Sequence, residues 1–94
     1  MRQQLEIEII NRLGLHARAC AKLVKTAGLY SSEIWIIKEG TRADAKSMMG
    51  LMMLAASQGA RLTLIAEGVD AEQAIAGVHE RIRDRLGEEE YCLH

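Results

Sequence analysis

Residues 5–9 alternate strictly, with Leu5, Ile7 and Ile9 set against Glu6 and Glu8. No other stretch limits the fold as much. A segment of period two is a strand with one apolar face, and that face needs a layer laid over it. The chain supplies covering helices three times. Ala17, Cys20, Ala21, Val24 and Ala27 recur at helical spacing on one narrow face, Lys22 and Lys25 lie toward the negative end of that helix, and Gly28 stops it. A second helix is predicted from near Ser47 to about Gly59. The third opens at Asp70, with Gln73 three residues on as the far half of a capping box. Ala71, Ala74, Ile75, Val78, Ile82 and Leu86 give this last helix an apolar stripe.

Three further strands fall between the helices. Residues 32–38 are rich in Ile and Trp, 41–45 return across a turn at Glu39 and Gly40, and 61–68 form the last strand. The order is therefore β-α-β-β-α-β-α. Strands with one polar face, and helices supplied from one direction, predict an α+β fold. It is an open-faced two-layer sandwich, a four-stranded antiparallel sheet covered on one face by three helices. No low-complexity linker or repeat divides the 94 residues. One domain over residues 1–94 is expected, its tail fraying from about residue 88.

Composition narrows the function. Hydrophobic residues make up 49% of the chain, yet only 3% are aromatic and Phe is absent. A core of Leu, Ile, Val, Ala and Met fills a small domain and leaves little room for a deep ligand cavity, so the protein is expected to work at its surface. The formal charge of −1 and pI near 6.3 give no footprint for nucleic acid or an anionic membrane. No apolar run approaches the roughly 20 residues that span a bilayer, and the N-terminus lacks the apolar centre of a signal peptide. Cys20 and Cys92 are too few and too far apart for a disulfide framework. His79 and His94 form no metal spacing with them. A reduced, cytoplasmic monomer without metal or cofactor is the expectation.

The chemistry is concentrated at the start of the first helix, in the run NRLGLHARAC from Asn11 to Cys20. His16 and Arg18 sit where the helix macrodipole is already positive, at a cost of a few tenths to about 1 kcal/mol for a misplaced charge. A histidine there is ordinarily a cap or a surface residue, and that reading accounts for His16 taken alone. Three neighbouring features add to it. Gly14 lets the backbone approach a ligand closely, the N–H groups of Ala17 and Arg18 point out of the first turn, and Arg18 reinforces the positive end. Together they describe a site for a dianion, with a guanidinium able to fork two oxygens. His16 is the only nucleophile in it, and a neutral imidazole nitrogen can attack phosphorus. The implied cargo is a covalently held phosphoryl group.

No phosphate-binding loop of the G-x-x-x-x-G-K-[ST] type accompanies this site, and no paired acids beside His16 suggest Mg²⁺. Phosphoryl transfer needs such electrostatic help. A partner protein must therefore bring it, which makes the chain a carrier and not an enzyme in its own right. Ser47 precedes an apolar run and is first of all an N-cap. Met48, Met49, Leu51, Met52 and Met53 follow it, more apolar residues than a helix packed on one side can bury. Either a wholly buried helix takes them all, or Met48, Met49 and Met52 form a soft docking patch.

Two segments carry a resemblance to a known family. GLHARACAKLV resembles the active-site segment of HPr, the histidine-containing phosphocarrier of the bacterial phosphoenolpyruvate:sugar phosphotransferase system. DAKSMMGLMMLAASQGARLTLIAEG resembles that family's second helix and following strand. The resemblance covers roughly residues 4 to 89. It implies that His16 takes a phosphoryl group through Nδ1 from phosphorylated enzyme I and passes it to an enzyme IIA domain, with Arg18 stabilising the group. It also implies that Ser47 matches the serine that HPr kinase/phosphorylase modifies in many bacteria. Ala19 departs from the pattern: many members carry proline there, and alanine fixes the first turn less firmly. A regulatory, nitrogen-type carrier without sugar transport fits the same residues. A plain interaction module built on the methionine helix is the alternative from another class.

Overall fold

The alternating N-terminal segment becomes β1 (Arg2–Glu8) in the computed structural model, which describes residues 1–87. After it come α1 (Ala17–Ala27), β2 (Glu33–Lys38), β3 (Thr41–Asp44), α2 (Met48–Met53), β4 (Arg61–Glu67) and α3 (Ala71–Arg83), then a short turn at Arg85–Gly87 in which Arg85 and Leu86 take positive φ. The strands form one sheet in the order β1-β4-β2-β3, antiparallel throughout. Register follows the apolar alternation: Leu5 pairs with Leu64, Leu64 with Ile36, and Ile36 with Ala43. A one-residue slip would turn these side chains to the wrong face. The expected fraying tail, with Cys92 and His94, lies outside the described residues.

The core lies between the inner face of the sheet and the helices. Ile9, Leu23, Ile34, Ile36, Leu51, Leu62, Leu64, Val78, Ile82 and Leu86 are all essentially fully buried. Burying each aliphatic side chain of this kind contributes about 1.5–3 kcal/mol. The opposite face is less polar than its sequence suggests. Ile65, paired with Trp35, is buried there, and the guanidinium of Arg42 lies 4.2 Å from the Trp35 ring centre. Arg42 covers the ring, which limits the apolar area this open face exposes.

Local signals and tertiary contacts disagree at three places. In α1 the buried face is Ala19, Cys20, Leu23, Thr26 and Ala27, while Ala17 and Ala21 are exposed. Leu23 has far more apolar area to bury than an alanine, so the helix turns to place it inward. Thr26 can follow because Arg81 donates from Nε to its hydroxyl at 3.4 Å. The second helix ends at Met53, well before Gly59. Its C-cap is Leu54, Ala55 takes φ 50°, and the Leu54 carbonyl accepts from Lys38 Nζ at 3.2 Å. At α3, Asp70 is the N-cap residue but makes no side-chain capping bond. Its carboxylate reaches instead to the N–H groups of Ser31 and Ser32 and to the Ser32 hydroxyl.

Candidate functional site

The loop from Asn11 to Leu15 is built to deliver His16 to one place. Asn11 is fully buried and donates from Nδ2 to the Gly14 carbonyl at 2.8 Å, while the Gly14 N–H donates back to the Asn11 carbonyl at 3.3 Å. Gly14 has φ 65°, and a Cβ at that position would lie 2.4 Å from the Ala56 carbonyl oxygen. Only glycine meets both the backbone conformation and the approach. The next residue completes the clamp: Leu15 N–H donates to that same Ala56 oxygen at 2.8 Å. The early end of α2 is thus functional in the fold, because Ala56 must leave the helix to hold this loop.

His16 is the N-cap of α1, with extended backbone at φ −77° and ψ 175°. Its carbonyl accepts the Cys20 N–H at 2.9 Å, and its side-chain Nδ1 accepts the Ala19 N–H at 3.4 Å. An Nδ1 that accepts carries no proton, so the proton of the neutral ring belongs on Nε2. Nδ1 therefore holds a lone pair turned toward the positive end of the helix. Ala17 and Arg18 follow on the exposed first turn, where the helix leaves N–H groups without intrahelical partners. No acid occupies that turn, and Arg18 makes no ion pair with any described residue. Cys20, one turn on, is buried, and its thiol donates to the Leu15 carbonyl at 3.5 Å. Burial pushes this thiol upward in pKa, away from the nucleophilic thiolate.

Ser47 takes the capping position read from the sequence: its Oγ accepts the Gly50 N–H at 3.1 Å. The methionines divide differently from the expectation. Met48 is half-buried and packs against the core, so it is not part of an exposed patch. It stands three residues before the fully buried Leu51 and shares its face. Met49 and Met52 are exposed as expected, and Met53, which belongs with them at i, i+3 and i+4, is 76% exposed. Leu13, in the loop clamped to Ala56, is 67% exposed. Helical spacing counted from Leu51 was the signal that separates Met53 from Met48.

Among the described residues no three His, Cys, Asp or Glu side chains gather as a metal site, and no helix is long and apolar enough to cross a membrane. The family model describing the phosphorylation site of the PTS HPr component matches residues 3–84. The chain is 46% identical over 84 residues to the phosphocarrier protein HPr of Neisseria meningitidis, covering 89% of this chain and 94% of that one. Among solved structures it is similar to an HPr from Thermoanaerobacter tengcongensis, with TM-score 0.88 and 46% identity over 93% of this chain and 98% of the other. An HPr dimer from the same organism matches with TM-score 0.74 and 48% identity over 87% and 94% of the two chains.

Proposed function

This chain belongs to the HPr family of phosphotransferase-system phosphocarriers, and from that premise we propose that His16 is its phosphoryl acceptor, loaded by phosphorylated enzyme I and discharged to an enzyme IIA domain. The observation that carries this reading is the Nδ1 lone pair of His16, held over the N-terminus of α1 next to Arg18. In the loading step that lone pair forms a bond to phosphorus. The bond from phosphorus to the donor atom of phosphorylated enzyme I breaks, and its electron pair stays with the donor. The proton on Nε2 remains in place during attack, so positive charge on the ring offsets the arriving oxygens, and it is released to solvent afterwards. Unloading reverses the sequence with the acceptor's nucleophile. The N–H groups of Ala17 and Arg18 and the guanidinium of Arg18 receive the phosphoryl oxygens.

The chain itself turns over no substrate in this scheme. Its partners bring the donor and acceptor groups, and the phosphohistidine is its cargo. Docking falls to the exposed side of α2, Met49, Met52 and Met53, together with Leu13. Ser47 is a candidate regulatory phosphoserine: negative charge is favourable at a helix start, and it would lie beside that docking side. A carrier of this kind meets its partners in the cytoplasm, and it acts as a monomer in this proposal.

The test is incubation with enzyme I and phosphoenolpyruvate, followed by intact-mass measurement. A gain of one phosphoryl group is expected for the wild type and none for His16→Ala. No gain, or an equal gain in the variant, removes the carrier reading.

A further inference from the structure

We infer that the backbone N–H of Ala19 is a positioning donor for His16, serving the resting imidazole and then the phosphoryl group. The inference rests on His16 being the acceptor. In the resting protein the Ala19 N–H is 3.4 Å from Nδ1 and points at the lone pair that must attack. A cap made through an imidazole nitrogen differs from one made through Ser or Asp oxygen, because it occupies the nucleophile itself. It keeps the proton on Nε2 and turns the ring so that Nδ1 faces the helix end, which orients the nucleophile before a donor arrives.

Attack removes that lone pair from hydrogen bonding. The Ala19 N–H is then left beside a newly attached group whose oxygens carry negative charge. It moves to one of those oxygens, so the donor that held the ring now holds the cargo. A hydrogen bond to a charged acceptor is stronger than one to a neutral nitrogen, so the exchange favours the phosphorylated state. Ala17 and Arg18 offer N–H groups from the same turn, yet Ala19 alone among the described residues donates to the imidazole. Residue 19 is thus a positioning residue acting through its main chain, and alanine leaves that donor in place where proline would delete it.

Proline at residue 19 is the direct test, because the first helical turn tolerates a missing N–H. Wild type and Ala19→Pro are mixed in equal amounts with catalytic enzyme I and limiting phosphoenolpyruvate, and the partition of phosphoryl groups is read by intact mass. Wild type is expected to hold about fivefold more, the difference between a charged and a neutral acceptor for one donor. Ala19→Gly, which keeps the N–H, is expected to partition evenly with wild type. Even partition for Ala19→Pro overturns the inference while leaving the carrier reading standing. Absence of phosphoryl uptake by wild type overturns the carrier reading, and this inference with it. Should the proline disturb packing at the buried residue 19, an amide-to-ester replacement of the same N–H by semisynthesis takes its place in the competition. A second readout needs no variant: on phosphorylation of wild type, the Ala19 amide proton moves downfield in the NMR spectrum. A resonance that stays put or moves upfield overturns the proposal.

Discussion

Ser32 and Asp70 stand 38 residues apart, and Ser32 donates both its N–H and its hydroxyl to the same oxygen of the Asp70 carboxylate. The other oxygen accepts from the Ser31 N–H at 2.9 Å. The entry to β2 is in this way tied to the start of α3, and Ser32 is buried by the tie.

This arrangement predicts an acid-sensitive contribution to stability. The Ser32 hydroxyl first, and the Ser31 N–H next, hold the Asp70 carboxyl below its ordinary value. The folded protein therefore keeps the ionised form at pH values where the unfolded chain takes up a proton. The contribution is fully present above the unfolded carboxylate value, about pH 4, and is lost as pH falls through the folded one. Asp70→Asn keeps an acceptor but removes the charge. Its urea midpoint should lie below that of wild type at neutral pH, and the gap should close on acidification. A gap that is constant down to acid pH would rule out the charged carboxylate as its source.

The turn between β2 and β3 predicts a stabilising substitution. Lys38 pairs with Thr41, so Glu39 and Gly40 form a two-residue loop, with φ 49° and 83°. Both central residues are in the conformation of a primed hairpin turn, which suits Asn-Gly and strains glutamate. Glu39→Asn should raise stability by about 0.5–1 kcal/mol, read as a higher denaturation midpoint. The 3.9 Å contact between Lys38 and the exposed Glu39 offsets little of this. An unchanged or lowered midpoint would show that the turn is not strained.

Arg18 separates chemistry from folding. Its side chain is exposed and makes no ion pair with a described residue, so Arg18→Ala should leave stability unchanged or raise it by up to about 1 kcal/mol, because it removes a positive charge from the positive end of α1. Transfer onto and from His16 should slow by about ten- to a hundredfold, the worth of a lost charge-assisted hydrogen bond to the moving phosphoryl group. Rapid-quench measurement of both half-reactions checks this. Wild-type rates in both would mean that the guanidinium does not touch the group in transit.

Part of this architecture is a local property of the residues. Leu5, Ile7 and Ile9 announced their strand because period two is a local property, and His16 with Arg18 stood out because charge at a helix start is local as well. Other features answer to partners distant in sequence. Whether α2 stops at Met53 or Gly59 depends on the Ala56 carbonyl being taken by Leu15. Asp70 abandons its local cap because three donors from Ser31 and Ser32, distant in sequence but adjacent in the fold, converge on it. The orientation of α1 turns on Leu23, which outweighs the smaller residues of the stripe first read from the sequence.

The methionines of α2 give the sharpest contrast between neighbours. Met53 is exposed, while Met48 packs against the core in the helix that shares a face with α1. A charge at residue 53 meets water, whereas one at residue 48 must be taken partly out of it. Met53→Glu should leave the denaturation midpoint close to wild type and weaken binding to enzyme I, with the same expected of Met49→Glu. Met48→Glu should instead cost about 1–3 kcal/mol in stability whatever it does to binding. Calorimetric titration with enzyme I, beside urea denaturation of each variant, separates the two effects. If Met53→Glu binds as tightly as wild type, docking does not use this side of α2. If Met48→Glu is as stable as wild type, its packing against the core contributes nothing.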